Sequence, residues 1–303
     1  MRTRILIFVL MFTGVISYAQ QDAQFTQYMY NTINVNPAYA GSRGTLSIFG
    51  LYRSQWVGLD GAPVTNALSI NSPIENSNLG VGLSFVNDKI GPTVENTISA
   101  DVSYTIQTSE SYKLSFGIKG TGNFFNLDAS KLNPVDQSDQ SLKSYDKFSP
   151  NLGAGLYLHS DKTYLGLSVP KFIETAQKYD DNETKITRDK INYYLIAGHV
   201  FDLTSKIKFK PALLSKLVMG APLQVDVSGN FMFNDKFVLG LAYRWDAAVS
   251  VMAGFQISDG LYIGYGYDLE TTALRHYNSG SHEVFLRYEF FNNYNKIISP
   301  RFF

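Results

Sequence analysis

From about Gly44 onward, apolar and polar residues alternate almost one for one along the chain. Between Phe237 and Asp246, the residues Phe237, Leu239, Leu241, Tyr243 and Trp245 fall on one parity, and Val238, Gly240, Ala242, Arg244 and Asp246 on the other. Successive strand side chains point to opposite sides, so this stretch predicts a strand with an apolar wall and a small or charged wall. Ile98, Ala100, Val102, Tyr104 and Ile106 repeat the pattern against Thr97, Ser99, Asp101, Ser103 and Thr105. The same holds for Val249 to Ile257, Leu261 to Asp268 and Glu283 to Phe290.

A soluble β-sandwich also alternates, so the period alone leaves two architectures open. Strand length and the placement of aromatics separate them. Several runs reach about 9–11 residues, the length a tilted strand needs to span lipid. Tyr243, Trp245, Tyr265 and Tyr267 gather at the ends of apolar faces, where the interfacial girdle of a membrane barrel belongs. About fourteen strands are predicted, centred near residues 48, 67, 83, 101, 118, 154, 166, 196, 209, 226, 241, 253, 264 and 286, with the count open by two. The connections at 107–111, 159–162, 202–205, 234–235 and 258–260 are short and turn-forming, whereas 127–150, 170–189 and 268–281 are long and polar. Short turns alternating with long loops are what a barrel with both termini on one side requires.

Lipid offers no partner to an unpaired N–H or C=O, so such a sheet must close on itself. The fold expected is all-β, a closed antiparallel transmembrane barrel. Asp101, Lys113, Lys119, Arg244, Asp246, Arg287 and Glu289 then face the enclosed interior. Residues 1–19 read as a signal peptide, with Arg2 and Arg4 before an apolar stretch and Ser17-Tyr18-Ala19 at the cleavage site. Residues 20–43 are expected as a segment at the periplasmic mouth or folded into the lumen as a plug. The barrel is expected over 44–291 and a C-terminal periplasmic tail over 292–303.

Composition narrows function by exclusion. Lys and Arg total 26 against 26 Asp and Glu, and this balance lacks the basic surplus that nucleic-acid binding needs. With no cysteine, there is no disulfide, thiolate metal site or lipid-modified cysteine. No HExxH or nucleophile elbow surrounds His159, His199, His276 or His282, so no catalytic role and no cofactor is expected. Asp136, Asp139 and Asp146 lack the spacing of a calcium loop. Gly117, Gly120 and Gly122 lie in a strand rather than a strand-to-helix turn, so they do not indicate phosphate binding.

The N-terminal part carries distinctive motifs. Gln24-Phe25-Thr26-Gln27-Tyr28-Met29-Tyr30-Asn31 runs into Asn36-Pro37-Ala38-Tyr39-Ala40-Gly41. Tyr52-Arg53-Ser54-Gln55-Trp56-Val57-Gly58 follows, then Gly61-Ala62-Pro63 and Ser72-Pro73-Ile74. This order resembles the start of the PorP/SprF family of type IX secretion system membrane proteins, and the ending Ser299-Pro300-Arg301-Phe302-Phe303 is similar to that family's tail. The resemblance implies an outer-membrane role in type IX secretion and, in gliding bacteria, in the export or surface attachment of large adhesins. It implies as partners a cargo protein with a C-terminal secretion signal, the PorE lipoprotein and the PorK–PorN ring.

Two physical roles are open for the N-terminal motif. It is a plug that fixes the barrel mouth, or a docking surface with Phe25, Tyr28, Tyr30, Asn36, Pro37 and Tyr39 against a periplasmic partner. Arg301, Phe302 and Phe303 form a second candidate docking element. The rival to a secretion component is a small-molecule channel or porin.

Overall fold

The structure, a computed structural model, describes residues 25–132, 144–178, 185–188 and 190–291. The first seven strands are β1 (Leu46–Ser54), β2 (Val64–Pro73), β3 (Leu79–Ile90), β4 (Thr93–Gln107), β5 (Lys113–Leu127), β6 (Tyr145–His159) and β7 (Thr163–Val169). A two-stranded hairpin, β8 (Ala176–Lys178) and β9 (Lys185–Arg188), stands in the next connection. The wall resumes with β10 (Asn192–His199) and its short continuation β11 (Phe201–Asp202), then β12 (Ile207–Val218) and β13 (Gln224–Phe233). It ends with β14 (Phe237–Arg244), β15 (Ala248–Gln256), β16 (Leu261–Glu270) and β17 (Ser281–Phe290).

Each strand of the wall pairs antiparallel with its neighbours in the chain, β10 pairing with both β7 and β12. β17 pairs with β1 from Leu46↔Phe290 to Ser54↔His282, so the sheet closes into a barrel of fourteen strands, all fourteen expected centres lying within them. The strand count open by two settles at the central value.

The alternation places the walls as expected. Leu241 is 62% exposed while Val238 is 2% exposed, and Ile98, Val102, Val251, Phe255, Leu286 and Tyr288 all face outward. Tyr52, Tyr193, Tyr243 and Trp245 ring one end of this apolar band, and Tyr104, Tyr112, Tyr288 and Phe290 the other. On the side of Leu46 and Phe290 the connections are short turns, at 74–78, 108–112, 160–162, 200–206, 234–236 and 257–260. The longest connections, 128–144, 170–191 and 271–280, lie at the opposite end.

Two local expectations need correction. The long loop expected over 127–150 is shorter, because β5 and β6 each run for 15 residues and keep pairing out to Leu127↔Tyr145. Asp246 is not a lumen-facing strand residue. β14 stops at Arg244, and Asp246 occupies the tight turn before β15 with φ 54°, a left-handed conformation that Asp tolerates. Outside the barrel, hydrogen bonds from Ser130 and the neighbouring Lys131 hold the Asp128 carboxyl down at about 2, so it stays charged where it caps the turn Ala129–Lys131.

A lysine on the outer face tests the lipid assignment. Leu241→Lys should destabilise the folded barrel in lipid vesicles by about 2–4 kcal/mol, read as a lower urea midpoint. Asp60→Lys, in the exposed loop after β1, should leave the midpoint unchanged.

Candidate functional site

The lumen is occupied by the residues that precede β1. Residues 25–41 form a compact series of turns: a 3-10 turn at Tyr28–Tyr30, one α-helical turn at Thr32–Val35 (α1) and a second 3-10 turn at Pro37–Tyr39. Asn36 caps the last turn, its Oδ1 accepting from the Ala38 N–H at 3.0 Å, and Pro37 occupies the first position, where a missing N–H leaves nothing unpaired. Nearly all of these side chains are buried.

Such short turns cannot satisfy their own backbone, and the inward wall does it for them. The Glu283 carboxylate accepts from the N–H groups of Thr26 and Gln27, at 2.9 and 2.8 Å. Lys119 donates to the Ile33 carbonyl at 3.2 Å, Ser168 to Val35 at 2.6 Å and Ser103 to Ala40 at 2.7 Å. In return the Asn36 side chain donates to the Leu156 carbonyl at 2.9 Å.

Charges on the wall pair as they hold the segment. Arg53 lies 2.7 Å from Asp268 and 3.2 Å from Glu283, and also reaches the Thr26 hydroxyl. Lys119 pairs with Asp101 at 3.0 Å, Arg244 with Asp226 at 3.0 Å, and Arg43 with Glu289. Of the side chains expected to face inward, Lys113 is exposed, at the rim on the side of Leu46 and Phe290.

The aromatic residues singled out from the sequence lie in one cluster inside the barrel. Tyr30 packs on Phe285 at 4.7 Å and Tyr262 at 5.4 Å between ring centres, with Lys210 and Arg287 set over its ring. Tyr39 meets Tyr157 edge to face at 5.6 Å. Tyr28, Asn36 and Pro37 are buried with them, and Phe25 closes the far end, its carbonyl receiving Arg244 at 3.4 Å. Arg301, Phe302 and Phe303 lie outside the described residues, as do Asp136 and Asp139.

Glycines mould the wall to this segment. An added Cβ at Gly80 would stand 2.2 Å from the Ala40 carbonyl oxygen, at Gly117 2.2 Å from the Ala38 nitrogen, and at Gly155 2.1 Å from the Asn36 Oδ1. Gly82 faces Ile33 in the same way, and Gly166 the Asn36 amide. These inward glycines were the available sequence signal for a chain lying against the wall, since glycine within a strand marks close backbone approach. Arg53, Asp268 and Glu283 carried no comparable mark, being far apart in sequence on three strands.

Cavities remain on both sides of the filled zone. One of about 100 Å³ lies toward the long loops, lined by Phe25, Val35, Asp88, Glu95, Lys119 and Tyr194. Another of about 690 Å³ lies toward the short turns, lined by Arg43, Glu110, Lys113, His159, Lys162 and His199. The two share no lining residue.

Compared with known families, the chain matches the sequence model described as type IX secretion system membrane protein PorP/SprF over residues 17–288. The chain belongs to this family. No curated protein matches it. Among solved structures, this PorP/SprF protein is similar to a TodX deltaS2S3 mutant monoaromatic hydrocarbon channel, at 10% identity and TM-score 0.48, covering 88% of this chain and 94% of that one. It is similar also to the CymD monoaromatic hydrocarbon channel (12%, TM-score 0.48, 91% and 95% covered) and to a Pseudomonas aeruginosa FadL homologue (14%, TM-score 0.43, 82% and 89% covered). The motif Tyr52-Arg53-Ser54-Gln55-Trp56 that marks the family resemblance has a structural use here. Arg53 anchors the luminal segment, and the Trp56 indole donates to Glu270 at 2.9 Å, tying the loop after β1 to the end of β16.

Two pairs of variants test the fit. Gly117→Val should drive residues 25–43 off the wall and expose them to added protease while the barrel stays folded; Gly120→Val, whose added Cβ meets nothing within 4 Å, should leave the cleavage pattern unchanged. Arg53→Met leaves Asp268 and Glu283 buried without their cation and should cost about 3–5 kcal/mol. Arg53→Met combined with Glu283→Gln should recover part of that loss in urea titration.

Proposed function

We propose that this PorP/SprF protein is an outer-membrane component of the type IX secretion system that works by binding, with the long loops outside the cell and the short turns in the periplasm. The barrel supports insertion in a bilayer, and the apolar start of the chain supports export through a cleaved signal peptide. One observation carries the choice of binding over conduction: residues 25–43 run through the lumen, wall side chains hold them, and inward glycines fit them. A chain embedded so thoroughly leaves the two mouths as separate surfaces.

On this reading the inner mouth, with its wide polar cavity, receives the periplasmic assembly, namely the PorE lipoprotein and the PorK–PorN ring. The outer mouth and long loops receive an exported cargo protein carrying a C-terminal secretion signal, for export or for surface attachment of adhesins used in gliding. Because Phe25, Tyr28, Tyr30 and Tyr39 are buried against the wall, the residues that meet periplasmic partners are those of the exposed rim, Glu110, Lys113 and Lys162, together with Arg301, Phe302 and Phe303 of the tail.

Pull-down of the intact protein from membranes should recover other secretion-system proteins, and recovery of none would remove the proposal. In planar bilayers the wild-type protein should show no steady conductance, whereas deletion of residues 25–40 should produce open-channel steps. Steady conductance by the intact chain would favour the small-molecule channel instead.

A further inference from the structure

All joints of the wall but one lie between strands that follow one another around it, and no connection between them is longer than residues 170–191. The joint of β1 and β17 has no such connection. Arg53 and Glu283, which meet across it, are 230 positions apart. Closing so long a loop costs more conformational entropy than closing a hairpin. Nothing in the connectivity keeps these two strands together once their pairing is lost.

The luminal segment crosses that joint as a strap. On one side, residues 36–40 are fitted to β3, β5 and β6 through Gly80, Gly117 and Gly155. On the other, the N–H groups of Thr26 and Gln27 bond Glu283 of β17, and the Thr26 hydroxyl lies between Arg53 of β1 and Asp268 of β16. Among the described residues Thr26, Gln27 and Arg53 are the hydrogen-bond partners of Glu283, so each of its bonds joins β17 to β1 or to the chain leading into it. Tyr30 packs on Phe285, which stacks on Phe49 of β1 with ring centres 5.2 Å apart. At the short-turn end Arg43, just before β1, pairs with Glu289 of β17.

We propose that this segment is the latch of the β1–β17 joint: the two open as one unit, while the wall from β2 to β15 stays paired. Parting β1 from β17 draws Arg53 away from Glu283 and breaks the hold on Thr26 between them. Coupling of this kind is reciprocal, so removing the segment weakens the joint by the same free energy. Water filling an emptied lumen solvates Glu283, but it ties neither strand to the other. A partner that withdraws the segment therefore also gives the closed wall one line along which it can part laterally. This coupling follows from contacts within the chain and holds whichever partner the protein meets.

Hydrogen exchange on the full chain in lipid nanodiscs, at rising sub-denaturing urea, tests the latch. Amides of residues 26–31, β1 and β17 should merge into one opening isotherm, at lower urea than those of β4 and β5. Opening of the segment alone, with β1 and β17 following β4 and β5, overturns the proposal. So does a wild-type wall that opens only as a whole. Gly117→Val adds a readout from a distance, because β5 lies four strands from β1 and the added Cβ strikes the backbone of Pro37 and Ala38. Exchange in β1 and β17 should then quicken by about tenfold, from loss of the hydrogen bonds to the Glu283 carboxylate, with β13 and β14 unchanged. Gly80→Val, which strikes the Ala40 carbonyl from β3, should do the same. If residues 25–43 become open to protease while β1 and β17 keep their wild-type exchange, the segment is a plug without a latch and the proposal falls. Should either variant fail to insert, the wild-type isotherms decide alone.

Discussion

At membrane depth, every backbone N–H and C=O must find its partner within the protein, and the rest of this structure follows from that constraint. For the wall the solution is closure: β17 returns to pair with β1 along their full lengths, so the sheet has no edge in the apolar band. For the chain inside the wall, closure is not available. The short turns Tyr28–Tyr30 and Pro37–Tyr39 leave flanking backbone groups at Thr26, Gln27, Ile33, Val35 and Ala40, which inward side chains of the strands complete. Glu283, Lys119, Ser103 and Ser168 each take one or two such groups. The polar parity of the strands is therefore a set of sites that receive a specific chain.

The buried charges follow from the same demand. A carboxylate is the strongest available acceptor for two adjacent N–H groups, but burying Glu283 needs a cation close by. Arg53 supplies it and is shared with Asp268, which in turn takes the Thr26 hydroxyl at 2.6 Å. Glycine solves the opposite problem, that of space. Where backbone or the Asn36 side chain lies directly on the wall, at Gly80, Gly117, Gly155 and Gly166, no side chain fits. Where rings rather than backbone fill the lumen, Tyr262, Phe285 and Tyr157 stand instead. Size along the inner wall thus maps the shape of what it holds.

A filled barrel of this kind presents two separate faces. The long-loop face has strands β4 to β6 extended to 15 residues beneath the longest connections. The short-turn face is a rim of mixed charge around a cavity of about 690 Å³. One continuous segment touches strands near both ends of the barrel.

The period-2 alternation by itself determined the strands, the two walls and the short-turn, long-loop rhythm, because lipid on one side and an enclosed interior on the other leave each strand residue one of two environments. The N-terminal motif, which lies outside the alternating region, brought out Phe25, Tyr28, Tyr30, Asn36, Pro37 and Tyr39 as a group through its resemblance to a family. What that group does was decided only in three dimensions. Arg53, Asp268 and Glu283 are 15 to more than 200 positions apart in sequence and become one site because β1, β16 and β17 are neighbours at the closure of the barrel. Glycines that look like ordinary small residues in strands acquire meaning only when the chain they face is in place. Local pattern encodes which way a side chain points; what it meets there depends on contacts between distant segments, and those exist only once the sheet has closed.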